Sequence, residues 1–252
     1  MKRLLLFILS LSLMIPFFVS AQTPETPALE EDQTMLYNYE AHGGFVLHSG
    51  SWGLVYRKGK HVTGYKKKFY EIEFAHMRHP KEIKLTNPYY ENSKPFAFGK
   101  LNSLLIFRGG VGMQHALFGR NQHSGVEIRY LFAAGVSAGL TKPIYLEILK
   151  QGIPPELNDV VIERYNPDVH QLQYILGRAA FTYGFDKMSL YPGGYAKFAL
   201  SFEYGSGSTD VKTIEAGVVA DFYGKKIPLM AYIENKNYFL NLYVALTWGG
   251  KW

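Results

Sequence analysis

Tyr238-Phe239-Leu240-Asn241-Leu242-Tyr243-Val244-Ala245-Leu246-Thr247-Trp248 reads as a strand with two unlike faces. Its even positions, Tyr238, Leu240, Leu242, Val244, Leu246 and Trp248, are all apolar or aromatic, whereas Asn237, Asn241, Ala245, Thr247 and Gly249 are polar or small. Phe239 and Tyr243 are the exceptions on that second face. At a rise of about 3.3 Å per residue and a tilt of about 40°, the rings of Tyr238 and Trp248 stand roughly 25 Å apart along the strand's vertical component. That is the height of the apolar band of an outer-membrane barrel, with one aromatic at each margin. A further aromatic residue, Trp252, follows at the end of the chain.

The same period of two recurs upstream. Ile214, Ala216, Val218, Ala220 and Phe222 oppose Thr213, Glu215, Gly217 and Asp221, with Val219 out of pattern. Ala196, Phe198, Leu200, Phe202 and Tyr204 oppose Tyr195, Lys197, Ala199, Ser201 and Glu203, and Gly205-Ser206-Gly207-Ser208 forms a tight connection. Between 126 and 140, Val126, Ile128, Tyr130, Phe132, Ala134, Val136 and Ala138 face away from Glu127, Arg129, Gly135, Ser137 and Gly139, although Leu131 and Ala133 weaken the inner face. Over 101–117, Leu105, Phe107, Val111 and Met113 point outward and Arg108, Gly110, Gly112 and Gln114 inward. Tyr70, Ile72 and Phe74 alternate with Glu71, Glu73 and Ala75. Residues 42–58 read either as one long strand or as a hairpin bent at Ser49-Gly50-Ser51.

Parity decides between these. Single-chain bacterial barrels have an even strand number, periplasmic termini, short periplasmic turns and long outer loops. The turn at 205–210 then lies in the periplasm, while 79–99 and 149–190 lie outside. The expected fold is an all-β, antiparallel up-and-down transmembrane β-barrel of eight strands if 42–58 is a hairpin; ten strands, with a pair hidden in 149–190, is the alternative.

The N-terminus carries Lys2 and Arg3, an apolar run from Leu4 to Val19 and a small-residue site at Val19-Ser20-Ala21, the pattern of a cleaved secretory signal. The expected organisation is a signal peptide over 1–21, a flexible acidic, Pro-containing periplasmic tether over 22–40, and an outer-membrane barrel over 41–252. No later stretch reaches the about 18 consecutive apolar residues of a spanning helix. With no cysteine there is neither a disulfide framework nor a lipoprotein anchor. The net charge of +6 falls to +4 once Lys2 and Arg3 are removed, a mild excess that suits an anionic lipid surface. No basic patch is interleaved with aromatics on one element, so no nucleic-acid partner is expected.

The inward faces collect Arg57, Glu71, Glu73, Arg108, Glu127, Arg129, Lys197, Glu203, Glu215 and Asp221. In an eight-stranded barrel there is room for side chains and little else, so these charges are expected to pair and to plug the lumen. Chemistry, if any, belongs to the outer loops. His76 and His79 in His76-Met77-Arg78-His79-Pro80-Lys81-Glu82 are sent to opposite faces by their spacing, and there is no HExxH, so no metal is expected. In Asn166-Pro167-Asp168-Val169-His170, Asn166 and Pro167 suit a helix start and Gly177 a helix stop, which predicts a short surface helix. Folded over the barrel mouth, His170 or Asp168 would meet His79 or Glu82 as the acid-base pair of an esterase. There is no G-x-S-x-G elbow to supply a nucleophile, and Ser124, beside His123, falls in an expected periplasmic turn. Gly109-Gly110-Val111-Gly112 lies within an alternating strand, where glycines mark curvature or close side-chain approach rather than a phosphate cradle, and no cofactor is expected.

Together the signal segment, Gly53-Leu54-Val55-Tyr56-Arg57, His79-Pro80-Lys81-Glu82, Lys142-Pro143-Ile144-Tyr145, Tyr191-Pro192-Gly193 and the closing strand resemble the small outer-membrane β-barrel proteins of Bacteroidota type, many of which have no assigned function. The resemblance spans nearly the whole mature chain. It implies an outer-membrane location, with outer-membrane lipid, lipopolysaccharide and the barrel-assembly machinery as partners, and it brings no catalytic residue. Barrel enzymes that trim lipid A are similar in size, but their serine-histidine arrangement does not map onto these positions. Three functions follow: a structural, assembly or surface-binding barrel, whose outer loops bind an envelope or surface protein; a lipid-modifying hydrolase using His79 or His170; and a soluble lipocalin-like carrier. The carrier requires the apolar faces turned inward, with Glu71, Glu73, Glu203 and Glu215 in water.

Overall fold

The computed structural model describes residues 37–90, 93–118, 126–150, 159–204 and 209–252. The signal segment and most of the tether lie outside them, as do Ser124 and the turn Gly205–Ser208. In chain order the strands are β1 (Tyr39–His48), β2 (Ser51–Thr63), β3 (Lys66–Met77), β4 (Lys84–Leu85), β5 (Phe96–Ala97), β6 (Asn102–Phe118), β7 (Glu127–Pro143), β8 (Tyr145–Lys150), β9 (Asp159–Arg164), β10 (Ile175–Arg178), β11 (Ser189–Glu203), β12 (Asp210–Tyr223) and β13 (Tyr238–Lys251). Eight of them close a barrel in the order β1-β13-β12-β11-β7-β6-β3-β2, every neighbouring pair antiparallel.

The ambiguous stretch is a hairpin: β1 and β2 pair from Tyr39 with Lys60 up to His48 with Ser51, and only Ser49 and Gly50 turn the chain. β1 starts at Tyr39, ahead of residue 41. The ten-strand alternative fails because the segment after β7 leaves the wall and makes its own three-stranded sheet, β10-β8-β9. Phe96, Leu146, Ile148, Tyr165 and Ile175 form the core of that extension. The surface helix expected from Asn166 to Gly177 is absent. Asn166 does nucleate a turn, accepting the Asp168 N–H on its side chain and the His170 N–H on its carbonyl. The chain then makes one 3-10 turn at Leu172–Tyr174 and joins β8 as strand β10, because ladder bonds to β8 satisfy more backbone than an isolated two-turn helix would.

The alternation read along each strand sorts the wall as expected. Leu240 is 71% exposed on the outside, whereas Glu215 on the neighbouring strand is fully buried inside. Positions that broke the pattern, Leu131, Ala133, Val219 and Tyr243, are interior residues packed with Val46, Phe69 and Tyr195. Gly110 and Gly112 sit on the inner face of β6, where a Cβ would fall 2.7 Å from the Tyr195 hydroxyl and 2.2 Å from the Phe69 ring, so the glycines admit those rings into the lumen. Tyr39, Trp252 and the facing ends of β2 and β3, of β6 and β7, and of β11 and β12 lie at one end of the barrel. The two-residue β1–β2 turn and the described parts of the long connections 78–101, 144–188 and 224–237 lie at the other.

The last of those connections folds back into the mouth. Ile227, Leu229 and Met230 are buried against Met77, Leu104, Ile106 and Tyr223. The Leu229 carbonyl accepts the N–H of Leu101 at 2.9 Å, the Asn102 side chain donates to the Pro228 carbonyl at 2.6 Å, and the Asn235 side chain accepts the Leu229 N–H at 2.8 Å. Four apolar residues in a loop carry no period, which is why this apolar cap could not be read from the sequence.

The glycines of β6 give a paired prediction. Gly112→Ala forces a Cβ into the Phe69 ring and should cost about 1–3 kcal/mol, the range for overpacking. Gly109→Ala, whose Cβ would meet nothing within 4 Å, should leave the urea midpoint of the refolded barrel unchanged.

Candidate functional site

Inside the wall the polar side chains form two layers. In the middle layer the Arg57 guanidinium donates to Glu71 (Nε to Oε2, 2.5 Å) and forks onto Glu215, with Nη2 to Oε1 at 3.1 Å. Arg108 makes the matching fork on Asp221, at 2.8 and 2.6 Å, and also donates to Glu73. Lys197 bridges the two halves, 2.6 Å from Glu71 and 2.5 Å from Glu73. Three cations thus face four carboxylates. The remaining acceptors are met by neutral or titratable donors: the Tyr243 hydroxyl on Glu215 at 3.0 Å, Ser137 on Asp221 at 3.3 Å, and the His48 ring on Glu73 at 3.1 Å.

The second layer lies toward the termini. Lys67 reaches Glu40 at 2.7 Å and Glu203 at 3.1 Å, Lys251 also pairs with Glu203, and His61 meets Glu40 at 3.0 Å. His42 and Thr213 hydrogen-bond Thr247 beside it. Among the ten inward charges named from the sequence, eight belong to these two layers. The other two, Glu127 and Arg129, pair with each other near the rim, where Arg129 also approaches the Gly64 and Tyr65 carbonyls. Sequence reasoning missed Glu40, His42, His48, Lys67 and Lys251, which sit on or beside the hairpin whose register was unresolved, or past the end of the strand pattern.

Tyr238 and Trp248 stand exposed on the outer wall at opposite ends of β13, Trp248 against Phe45 with ring centroids 5.9 Å apart. At the end bearing the termini, Lys58 lies over the Trp252 ring and Lys60 over Tyr39.

The loop residues proposed for hydrolysis are not assembled. The His170 ring lies 3.3 Å from Glu163 and accepts the Asn166 N–H, all within one loop. Glu163 takes a hydrogen bond from Lys150, which holds its carboxyl below the usual range. His79 accepts the Lys81 N–H on Nδ1, and Glu82 pairs with Lys100 at 2.7 Å and Arg78 at 3.6 Å. Burial and the nearby Lys81 push the His79 imidazole down. Among the described residues neither His79 nor Glu82 hydrogen-bonds Asp168 or His170, and no group of three or more His, Cys, Asp or Glu gathers as metal ligands. The acids a carrier needs in water, Glu71, Glu73, Glu203 and Glu215, are buried in the two layers, so the arrangement is the reverse of a lipocalin's.

No protein-family model and no curated protein matches this chain. Among solved structures it is similar to Neisserial surface protein A, at 8% identity and a TM-score of 0.38 over 86% of this chain and 97% of that one. It is similar also to Ail, the attachment invasion locus protein of Yersinia pestis, solved with the heparin analogue sucrose octasulfate, at 8% identity and a TM-score of 0.38 over 86% and 99%. The functional reading below rests on this chain's own geometry.

Arg57→Met leaves Glu215 with a phenol and Glu71 with one cation. The loss should be about 3–5 kcal/mol, the cost of breaking a buried ion pair from one side. Lys226→Gln, in the exposed pair with Glu234, should change stability by less than about 1 kcal/mol. Urea titration of the micelle-refolded protein separates the two.

Proposed function

We propose that this chain is an integral outer-membrane barrel with a sealed lumen, whose structural and binding roles are carried by its outer surface. One observation supports this most: the closed wall is inverted relative to a soluble protein. Its buried charged residues face the lumen, and every barrel strand presents large exposed apolar side chains on its outer face. Such an exterior in water would expose an apolar surface far beyond the few hundred Å² a soluble monomer tolerates. In a bilayer it has no such cost, and the closed ladder leaves no backbone edge for lipid to strand.

The placement of the links supports an orientation with both termini in the periplasm and the β8–β10 extension outside the cell. Export by the N-terminal signal and insertion by the barrel-assembly machinery fit that orientation. Inside, the two charge layers and the Ile227–Met230 cap fill the cross-section at three levels, so the barrel serves as a platform rather than a conduit.

Two measurements test this. The mature protein should fractionate with the outer membrane and migrate faster on a detergent gel unboiled than boiled; a soluble periplasmic protein without a mobility shift would sink the membrane reading. Reconstituted in a planar bilayer, it should give no discrete conductance steps, and a steady ohmic current at low voltage would sink the sealed lumen.

A further inference from the structure

Where the wall emerges above its apolar belt, a cleft of about 690 Å³ opens between the barrel and the extension. Its floor includes His76, Ser103 and Lys142, the outward-facing residues of β3, β6 and β7. Each stands two positions beyond an outward apolar residue: Phe74, Leu105 and Leu140. Its roof is made by Tyr145, Phe181 and Tyr183.

The lining is strongly cationic. Arg78, Lys84, Lys94, Lys100, Lys142 and Arg178 face only two carboxylates, Glu82 and Glu147. Glu82 is taken by Lys100 and Arg78, and Glu147 by Lys94 at 2.6 Å. Lys84, Lys142 and Arg178 have no acidic partner among the described residues. Lys142 matters most, being only 5% exposed. It donates to the carbonyls of Phe181 and Tyr183 and lies 3.9 Å above the Phe181 ring, which satisfies its N–H groups without cancelling its charge. A buried ammonium lacking a counter-ion is costly, and an anionic ligand would supply one.

We infer that this cleft binds the phosphorylated sugar headgroup of an outer-leaflet glycolipid. The inference rests on the membrane reading above, since it takes the belt under the cleft to be lipid. Phosphates meet Lys142, Lys84 and Arg178; the sugar ring lies against the exposed parts of the Phe181 and Tyr183 side chains; and the acyl chains continue down the wall past Leu105, Leu140 and the exposed Leu190. A soluble phosphosugar shares the headgroup chemistry but not the acyl contact.

The test uses full-length mature protein in detergent micelles, with binding read by native mass spectrometry and calorimetry. Bisphosphorylated lipid A should bind at least tenfold tighter than its dephosphorylated form. The double variant K84Q/R178Q, altering two exposed side chains, should lose at least tenfold, and Lys142→Met likewise; the unboiled gel shift shows that each variant is folded. The same affinity for both forms of lipid A, or for wild type and folded K84Q/R178Q, would overturn the site. Equal binding of the acyl-free disaccharide bisphosphate would overturn the lipid source. A wild-type protein that binds phosphosugar but fails the fractionation and gel-shift tests would separate failure of the membrane reading from failure of the cleft.

Discussion

The structure depends on neutralising charge inside a closed wall. Alternation on eight strands that close around a narrow interior sends ionisable side chains where water has little access. An uncompensated ion there would cost several kcal/mol. The chain answers with forks rather than single contacts: Arg57 on Glu215 and Arg108 on Asp221 each use two N–H groups, and Lys197 ties the halves by holding Glu71 and Glu73 at once. Arg57–Glu71 and Arg108–Glu73 join register partners on adjacent strands, whereas Arg57–Glu215, Arg108–Asp221 and the Lys197 bridges tie β2 to β12, β6 to β12 and β11 to β3, which are not neighbours in the wall. Apolar packing on the outside cannot do this in lipid, where the surroundings are as apolar as the side chains. Register and closure therefore have to be specified by the interior.

That division explains what was legible in the sequence. A period of two identifies a strand and its faces from neighbours two residues apart, so β6, β7, β12 and β13 could be read with near-correct limits, whereas β11 was read only from Tyr195 although it starts at Ser189. The same period carries no information about pairing across the lumen. Tyr243 broke the pattern of the closing strand as an aromatic on the polar face, and its reason is the hydroxyl it gives to Glu215, 28 positions earlier. Val219 and Leu131 broke it as interior residues packed with Val46, Phe69 and Tyr195. The glycines of β6 were read as permitting close approach, and what approaches is Tyr195 and Phe69.

The outer connections were the least legible, for a physical reason. Their local signals are real but weak, and tertiary pairing outweighs them. Asn166 makes the turn its chemistry favours, yet the following residues gain more by extending β8 than by completing two helical turns. The basic residues of the cleft, Lys84, Lys94, Lys100, Lys142 and Arg178, are dispersed over two connections and one strand end. No periodicity links them, and only the docking of the extension beside β3, β6 and β7 brings them together. Asn87 shows how that docking is held: its buried amide nitrogen donates to the carbonyls of Leu172 and Ile175, tying the β4–β5 segment to the β10 segment.

Charge is handled in opposite ways at the two places. In the lumen each cation has a carboxylate in hand, and the acids equal or outnumber the cations. In the cleft the cations outnumber the acids, and Lys142 is desolvated by the residues packed over it while its charge is left unbalanced. The first arrangement stabilises a wall; the second costs stability in the unliganded protein, and such a cost is returned when an anion binds. The charges that tie the strands of this barrel together occupy its interior. The remaining space for recognition is the outer rim, where backbone leaves the sheet and loops bring cations from distant parts of the chain to one surface.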